Sequence, residues 1–81
     1  MIDKKYIEED IFSWFKNEFE INLLREDLDK NLFHDLYLDS FQYVCFLEFL
    51  SNKYKFNIGK ELLDSENQNI NFILKKIVHV L

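Results

Sequence analysis

A chain of 81 residues holds one domain with one modest core, and 48% apolar with 17% aromatic residues is too much for a disordered chain. No proline and a single glycine, Gly59, argue against an all-β fold, which needs frequent turn-formers. The formal net charge is −5, with eleven acids against five bases over residues 1–39 and four against five over residues 40–81, so no basic cluster exists for nucleic acid.

Residues 3–19 read as a first helix. Asp3 can cap it, and Ile7, Ile11, Trp14, Phe15 and Phe19 recur at helical spacing. Phe12 sits at the margin of that stripe. Glu8, Glu9, Lys16 and Asn17 fall elsewhere on the surface.

Residues 20–39 have no breaker and no sustained period. Leu24, Leu28 and Leu32 could make a short helix; the preferred reading is a long ordered loop pinned to the core by its leucines. Ordered loops of that length are uncommon in compact domains and are often functional.

Residues 40–54 form a second helix. Tyr43, Phe46, Leu47, Leu50 and Tyr54 make one stripe that should face the core. Phe41, Val44 and Cys45 lie off it, near Ser40, and are either buried against the loop or exposed for a partner. Residues 55–68, with Phe56, Ile58, Gly59, Leu62 and Leu63, suggest a turn followed by a short third helix or helical turn. Residues 69–81 form the last helix, capped by Asn67 or Asn69, with Ile70, Ile73, Leu74, Ile77 and Leu81 as its stripe. The expected core is Ile7, Ile11, Phe15, Tyr43, Phe46, Leu47, Leu50, Ile70, Leu74 and Ile77.

The lone cysteine, Cys45, cannot form an internal disulfide, which points to a reducing compartment. The amino-terminal residues do not resemble a signal sequence, and no apolar run reaches the roughly 20 residues of a membrane helix. A cytoplasmic protein without membrane insertion is therefore expected.

The pair Asp39-Ser40 stands at the junction of loop and second helix. A first-turn serine lies beside unpaired N–H groups, and the helix dipole there favours added negative charge, including phosphate. The plainer reading makes Asp39 a helix cap and Ser40 a passenger. Only His34 and His79 could serve Cys45 as a base, and a lone cysteine among apolar residues is usually inert packing. The histidines and carboxylates show no metal-ligand spacing, so neither a catalytic residue nor a metal site is expected.

Leu36-Tyr37-Leu38-Asp39-Ser40-Phe41 resembles the Asp-Ser-Leu signature of acyl carrier proteins and the related peptidyl and D-alanyl carrier proteins. The resemblance extends over most of the chain: first helix, loop ending in Phe33-His34-Asp35-Leu36, helix from Ser40 to Tyr54, Phe56-Asn57-Ile58 and a final amphipathic helix. It implies one domain over residues 1–81, an all-α small four-helix bundle of three main helices and one short one. It also implies a non-enzymatic, monomeric carrier. Ser40 would hold 4′-phosphopantetheine covalently, and Asp39 would assist a phosphopantetheinyl transferase and its Mg²⁺. Phe41, Val44 and Glu48 would form the docking face for a loading enzyme and a downstream synthase or transferase.

Three departures from the family pattern bear on that picture. Tyr37 occupies a position that is usually glycine, and tyrosine resists positive φ, so the loop is expected to run differently there. Phe41 follows the serine where leucine is usual; Asp-Ser-Phe also occurs in D-alanyl carriers. The second helix has only Glu48 and Lys53 as charges, unlike the acidic helix of fatty-acid carriers. Fatty acyl, aminoacyl and polyketide-type cargo stay open, with aminoacyl favoured. The competing function is a non-catalytic helical interaction module in which Ser40 only belongs to the cap.

Overall fold

The computed structural model describes residues 3–55, 57 and 68–80. These residues form three α-helices, α1 (Lys4–Phe19), α2 (Ser40–Tyr54) and α3 (Ile70–Val80), and one 3-10 helix (Arg25–Asp29). There is no strand among the described residues. The short helix expected within residues 55–68 lies outside the described residues.

Helix α1 starts at its cap. Asp3 is extended, and its Oδ1 accepts from Lys5 N at 3.2 Å. The helix ends where Glu20 turns left-handed (φ 57°) and donates its N–H to Lys16 O. Ile7, Ile11 and Phe15 are fully buried, while Trp14 and Phe19 pack half-buried at the edge. Glu8 departs from its expected place on the surface. It is buried, because Arg25 in the 3-10 helix reaches across to its carboxylate at 3.1 Å.

Aromatic rings join α1 to α2. Phe15 meets Phe46 edge-on, with centroids 4.9 Å apart, and Trp14 stacks on Phe49 at 4.9 Å. Such pairs add about 0.5–1.5 kcal/mol beyond their burial. At the far end of α2, Asp10 accepts from the Tyr54 hydroxyl and pairs with Lys53 at 3.0 Å. The Tyr54 bond, ahead of Lys53, holds the Asp10 carboxyl below the usual aspartate range, against the opposing effect of burial.

The stripe of α2 lies where its spacing puts it: Tyr43, Phe46, Leu47, Leu50 and Tyr54 are all buried. Helix α3 contributes Ile70, Ile73, Leu74 and Ile77, all fully buried. Asn69 opens α3, its Oδ1 accepting from Phe72 N at 2.7 Å. Fully burying one such aliphatic or aromatic side chain contributes about 1.5–3 kcal/mol. Among the described residues no helix is long and apolar enough to cross a membrane.

The segment 20–39 is an ordered connection with a single helical turn in it. Leu28, Leu32 and Leu38 are buried and pin it down, whereas Leu24 is 57% exposed. Only the turn Arg25–Asp29 is helical, so Leu24, Leu28 and Leu32 do not share one helix. Asp27 fixes that turn: its carboxylate accepts from Leu24 N at 2.8 Å and pairs with Lys30 at 2.9 Å. The backbone bond first, and Lys30 second, hold its carboxyl below the usual range. Leu32 N donates to Gln68 O at 2.9 Å, and the Asn71 amide donates to Asp29, so the connection is tied to α3.

Candidate functional site

The approach to Ser40 is built from a short run of backbone bonds. Asn31 Oδ1 accepts from Phe33 N and His34 N, each at 2.9 Å. Its carbonyl accepts from Asp35 N at 2.9 Å and Leu36 N at 3.1 Å. Leu38 N then donates to Leu32 O at 2.9 Å, which drops the Leu38 side chain into the core. Phe33 lies against Tyr43 at 5.0 Å between centroids, and burial raises the Tyr43 hydroxyl well above its usual range.

Tyr37 lies between two anchored residues, Leu36 and Leu38. Its φ is +61°, the left-handed region. The tyrosine therefore does take the left-handed region that its side chain resists. The backbone bonds on either side outweigh that local preference. A left-handed non-glycine residue costs about 1–2 kcal/mol.

Asp39 is the N-cap of α2, and its bonds with Gln42 run both ways. Gln42 N donates to Asp39 Oδ1 at 2.7 Å, and Asp39 N donates to Gln42 Oε1 at 3.0 Å. Together they satisfy two otherwise orphaned donors. Among the described residues only Oδ1 of the Asp39 carboxylate is so engaged. Gln42 has a role here that the sequence reading did not assign. The signal was present, since an acceptor residue followed three positions later by Gln is the pattern of a reciprocal cap.

Ser40 is the first residue of α2 and is exposed. Around it the structure leaves apolar side chains in water: Tyr37 is 83% exposed, Phe41 75% and Val44 40%. Phe41 and Val44 are thus not buried under the loop. Cys45 is half-buried, and Glu48 is exposed one turn beyond Val44. Ser40 is thus an exposed hydroxyl at a helix start, with the exposed acids Asp35 and Asp39 before it in the chain and exposed Tyr37, Phe41 and Val44 within four residues of it.

No hydrogen bond links His34 to Cys45 among the described residues. No group of three His, Cys, Asp or Glu side chains is placed to hold a metal among those residues. Two clefts lie elsewhere. One is lined by Asp3, Lys5, Tyr6 and Glu9, and the other by Lys4, Leu74, Lys75 and Val78.

No protein-family model, no curated protein and no solved structure matches this chain.

Proposed function

We propose that the chain is a carrier protein of the phosphopantetheine-dependent kind, with the acyl-carrier fold completed by a short fourth helix between α2 and α3. Within that class, aminoacyl cargo fits best, because Asp39-Ser40-Phe41 leads into a helix with Glu48 as its single acid. The carrier is cytoplasmic and monomeric and is not itself an enzyme.

The observation that carries the reading is the pairing of an exposed serine with a left-handed residue three positions before it. Tyr37 has φ +61° where the resembled carriers usually have glycine. A backbone that takes this dihedral despite a tyrosine supports the same loop path into the serine. Ser40 also fits the group chemically. It is exposed at the start of α2, where N–H groups and the helix dipole favour a phosphodiester by about 0.3–1 kcal/mol.

Attachment exchanges the Ser40 O–H bond for an O–P bond. The pyrophosphate bond of coenzyme A breaks, adenosine 3′,5′-bisphosphate leaves, and the proton passes to the transferase. Once attached, the arm supplies a terminal thiol that holds acyl or aminoacyl groups as thioesters. Asp39 would keep Oδ1 in the cap and offer Oδ2 to the Mg²⁺ of the transferase. Phe41, Val44 and Glu48 would form the docking face for that enzyme, for the loading enzyme and for the downstream synthase or transferase.

The same surface suits a helical interaction module. The reciprocal Asp39–Gln42 cap favours that second reading, since it gives Asp39 a purely structural role. Intact-mass measurement after incubation with coenzyme A and a broad-specificity phosphopantetheinyl transferase separates the two. The carrier gains one phosphopantetheinyl group, and Ser40→Ala gains none while keeping its helical circular dichroism. No gain in the unsubstituted protein, or a gain surviving in Ser40→Ala, overturns the carrier assignment.

A further inference from the structure

Tyr37 is held in a conformation its side chain opposes, yet that side chain contributes almost no burial in return. Its φ is +61° and it is 83% exposed. The strain is imposed from both sides. Leu36 N is tied to Asn31 O, Leu38 N to Leu32 O, and Asp39 N to Gln42 Oε1. Those three bonds hold the backbone on both sides of position 37. Glycine or asparagine would take this φ with less strain. Residues held in this region recur at functional sites, and the other two described here, Glu20 and Lys55, are helix C-caps, a role Tyr37 does not have.

Position argues for what the ring does. Three residues of chain span at most about 11 Å, so Tyr37 lies within reach of a partner that encloses Ser40. Phe41, 75% exposed, stands directly after Ser40, so two large exposed rings flank the hydroxyl in the sequence. The acids on this surface, Asp35, Asp39 and Glu48, are exposed as well. A complementary partner has an apolar cleft with a basic rim.

We propose that Tyr37 is a specificity-determining residue for the phosphopantetheinyl transferase, its ring entering an apolar cleft beside the active site when Ser40 is presented. The inference rests on the carrier reading above. It adds that this chain gives up stability at one loop residue to be recognised. Tyr37 touches no reacting atom, and its contribution is to binding. Burial of an aromatic ring at an interface strengthens encounter-complex affinity. The effect belongs in KM and leaves kcat in place.

The test uses the whole chain, coenzyme A and a broad-specificity transferase, comparing the unsubstituted protein with Tyr37→Gly, Tyr37→Asn and Tyr37→Phe. The glycine and asparagine variants should melt higher, by roughly 4–8 °C for the glycine. Both should raise KM about tenfold with kcat within twofold of the unsubstituted protein. Tyr37→Phe keeps the ring and should keep KM within about twofold. A merely structural tyrosine would move the melting temperature and leave KM alone. An unchanged KM in Tyr37→Gly and Tyr37→Asn overturns the proposal, and so does a lower melting temperature in both. If the unsubstituted protein gains no phosphopantetheinyl group, the carrier reading itself falls and takes this one with it. If it is modified and the variants match it, only the Tyr37 proposal falls.

Discussion

Helix α2 has two faces that obey different rules. On one, Tyr43, Phe46, Leu47, Leu50 and Tyr54 are buried against α1, α3 and the loop. On the other, Phe41 and Val44 are equally apolar and stand in water. Hydrophobicity alone does not distinguish the two sets. The first is held by packing, so its residues answer for stability. The second has no packing to explain it, so its residues answer for whatever covers them.

The largest effect should come from the packed face. Phe46→Ala or Leu50→Ala should destabilise the protein by about 2–5 kcal/mol, a large share of the stability of a small domain. Phe41→Ala should change it by less than about 0.5 kcal/mol. Chemical denaturation measures both. Equal losses on the two faces would erase the distinction.

The exposed face should dominate binding instead. On the proposed carrier reading, Phe41→Ala should weaken affinity for a loading enzyme by about 1.5–3 kcal/mol if the ring is fully buried there. Glu48→Gln should matter less, since an exposed ion pair gives about 1 kcal/mol or less and is screened by salt. Titrating both variants at low and high salt decides the order. A larger loss from Glu48→Gln, or collapse of the unsubstituted affinity with salt, would show that charge leads. Asp35 and Asp39 could supply such steering.

Much of this contrast was legible in the sequence. Spacing placed the first helix over residues 3–19 and the last over residues 69–81, against Lys4–Phe19 and Ile70–Val80 in the structure. It also picked the buried stripe of α2, because a period of 3.6 residues states which side chains share a face. It could not state whether the loop would cover Phe41 and Val44, since that depends on contacts distant in sequence. Tyr37 takes a dihedral that its residue type does not announce, for a related reason. Its own preference against positive φ is local, and the bonds at Leu36, Leu38 and Asp39 that overrule it are set by the folded loop. The burial of Glu8 is not legible in the sequence, because nothing nearby in the chain indicates that Arg25 crosses over to it.

The start of α2 can be loosened without altering its packed stripe. Gln42→Ala removes one half of the reciprocal cap, and Asp39→Ala removes the carboxylate of the other half. Asp39→Ala should lower stability by about 1 kcal/mol, with Gln42→Ala lower by a smaller amount. Thermal denaturation checks the order, and a larger loss in Gln42→Ala would contradict the assigned roles.

A smaller effect should appear in acid. The Asp10 and Asp27 carboxyls are both held below their usual range in the folded protein. Their contribution is present above the unfolded aspartate pKa of about 3.9 and is lost as pH falls through the lower folded values. Asp27→Asn should therefore flatten the decline in stability below about pH 4. Urea titrations across that range test it, and an unchanged slope would mean that the Leu24 and Lys30 contacts do not favour the ionised form.

On the proposed carrier reading, the exposed side of α2 presents Ser40 for modification. Intact-mass analysis after incubation with coenzyme A and a broad-specificity transferase tests it most directly. One phosphopantetheinyl group is expected on the unsubstituted protein, mapped to the peptide containing Ser40, and none on Ser40→Ala. An unmodified protein, or a group found on Ser13, Ser51 or Ser65, would contradict it.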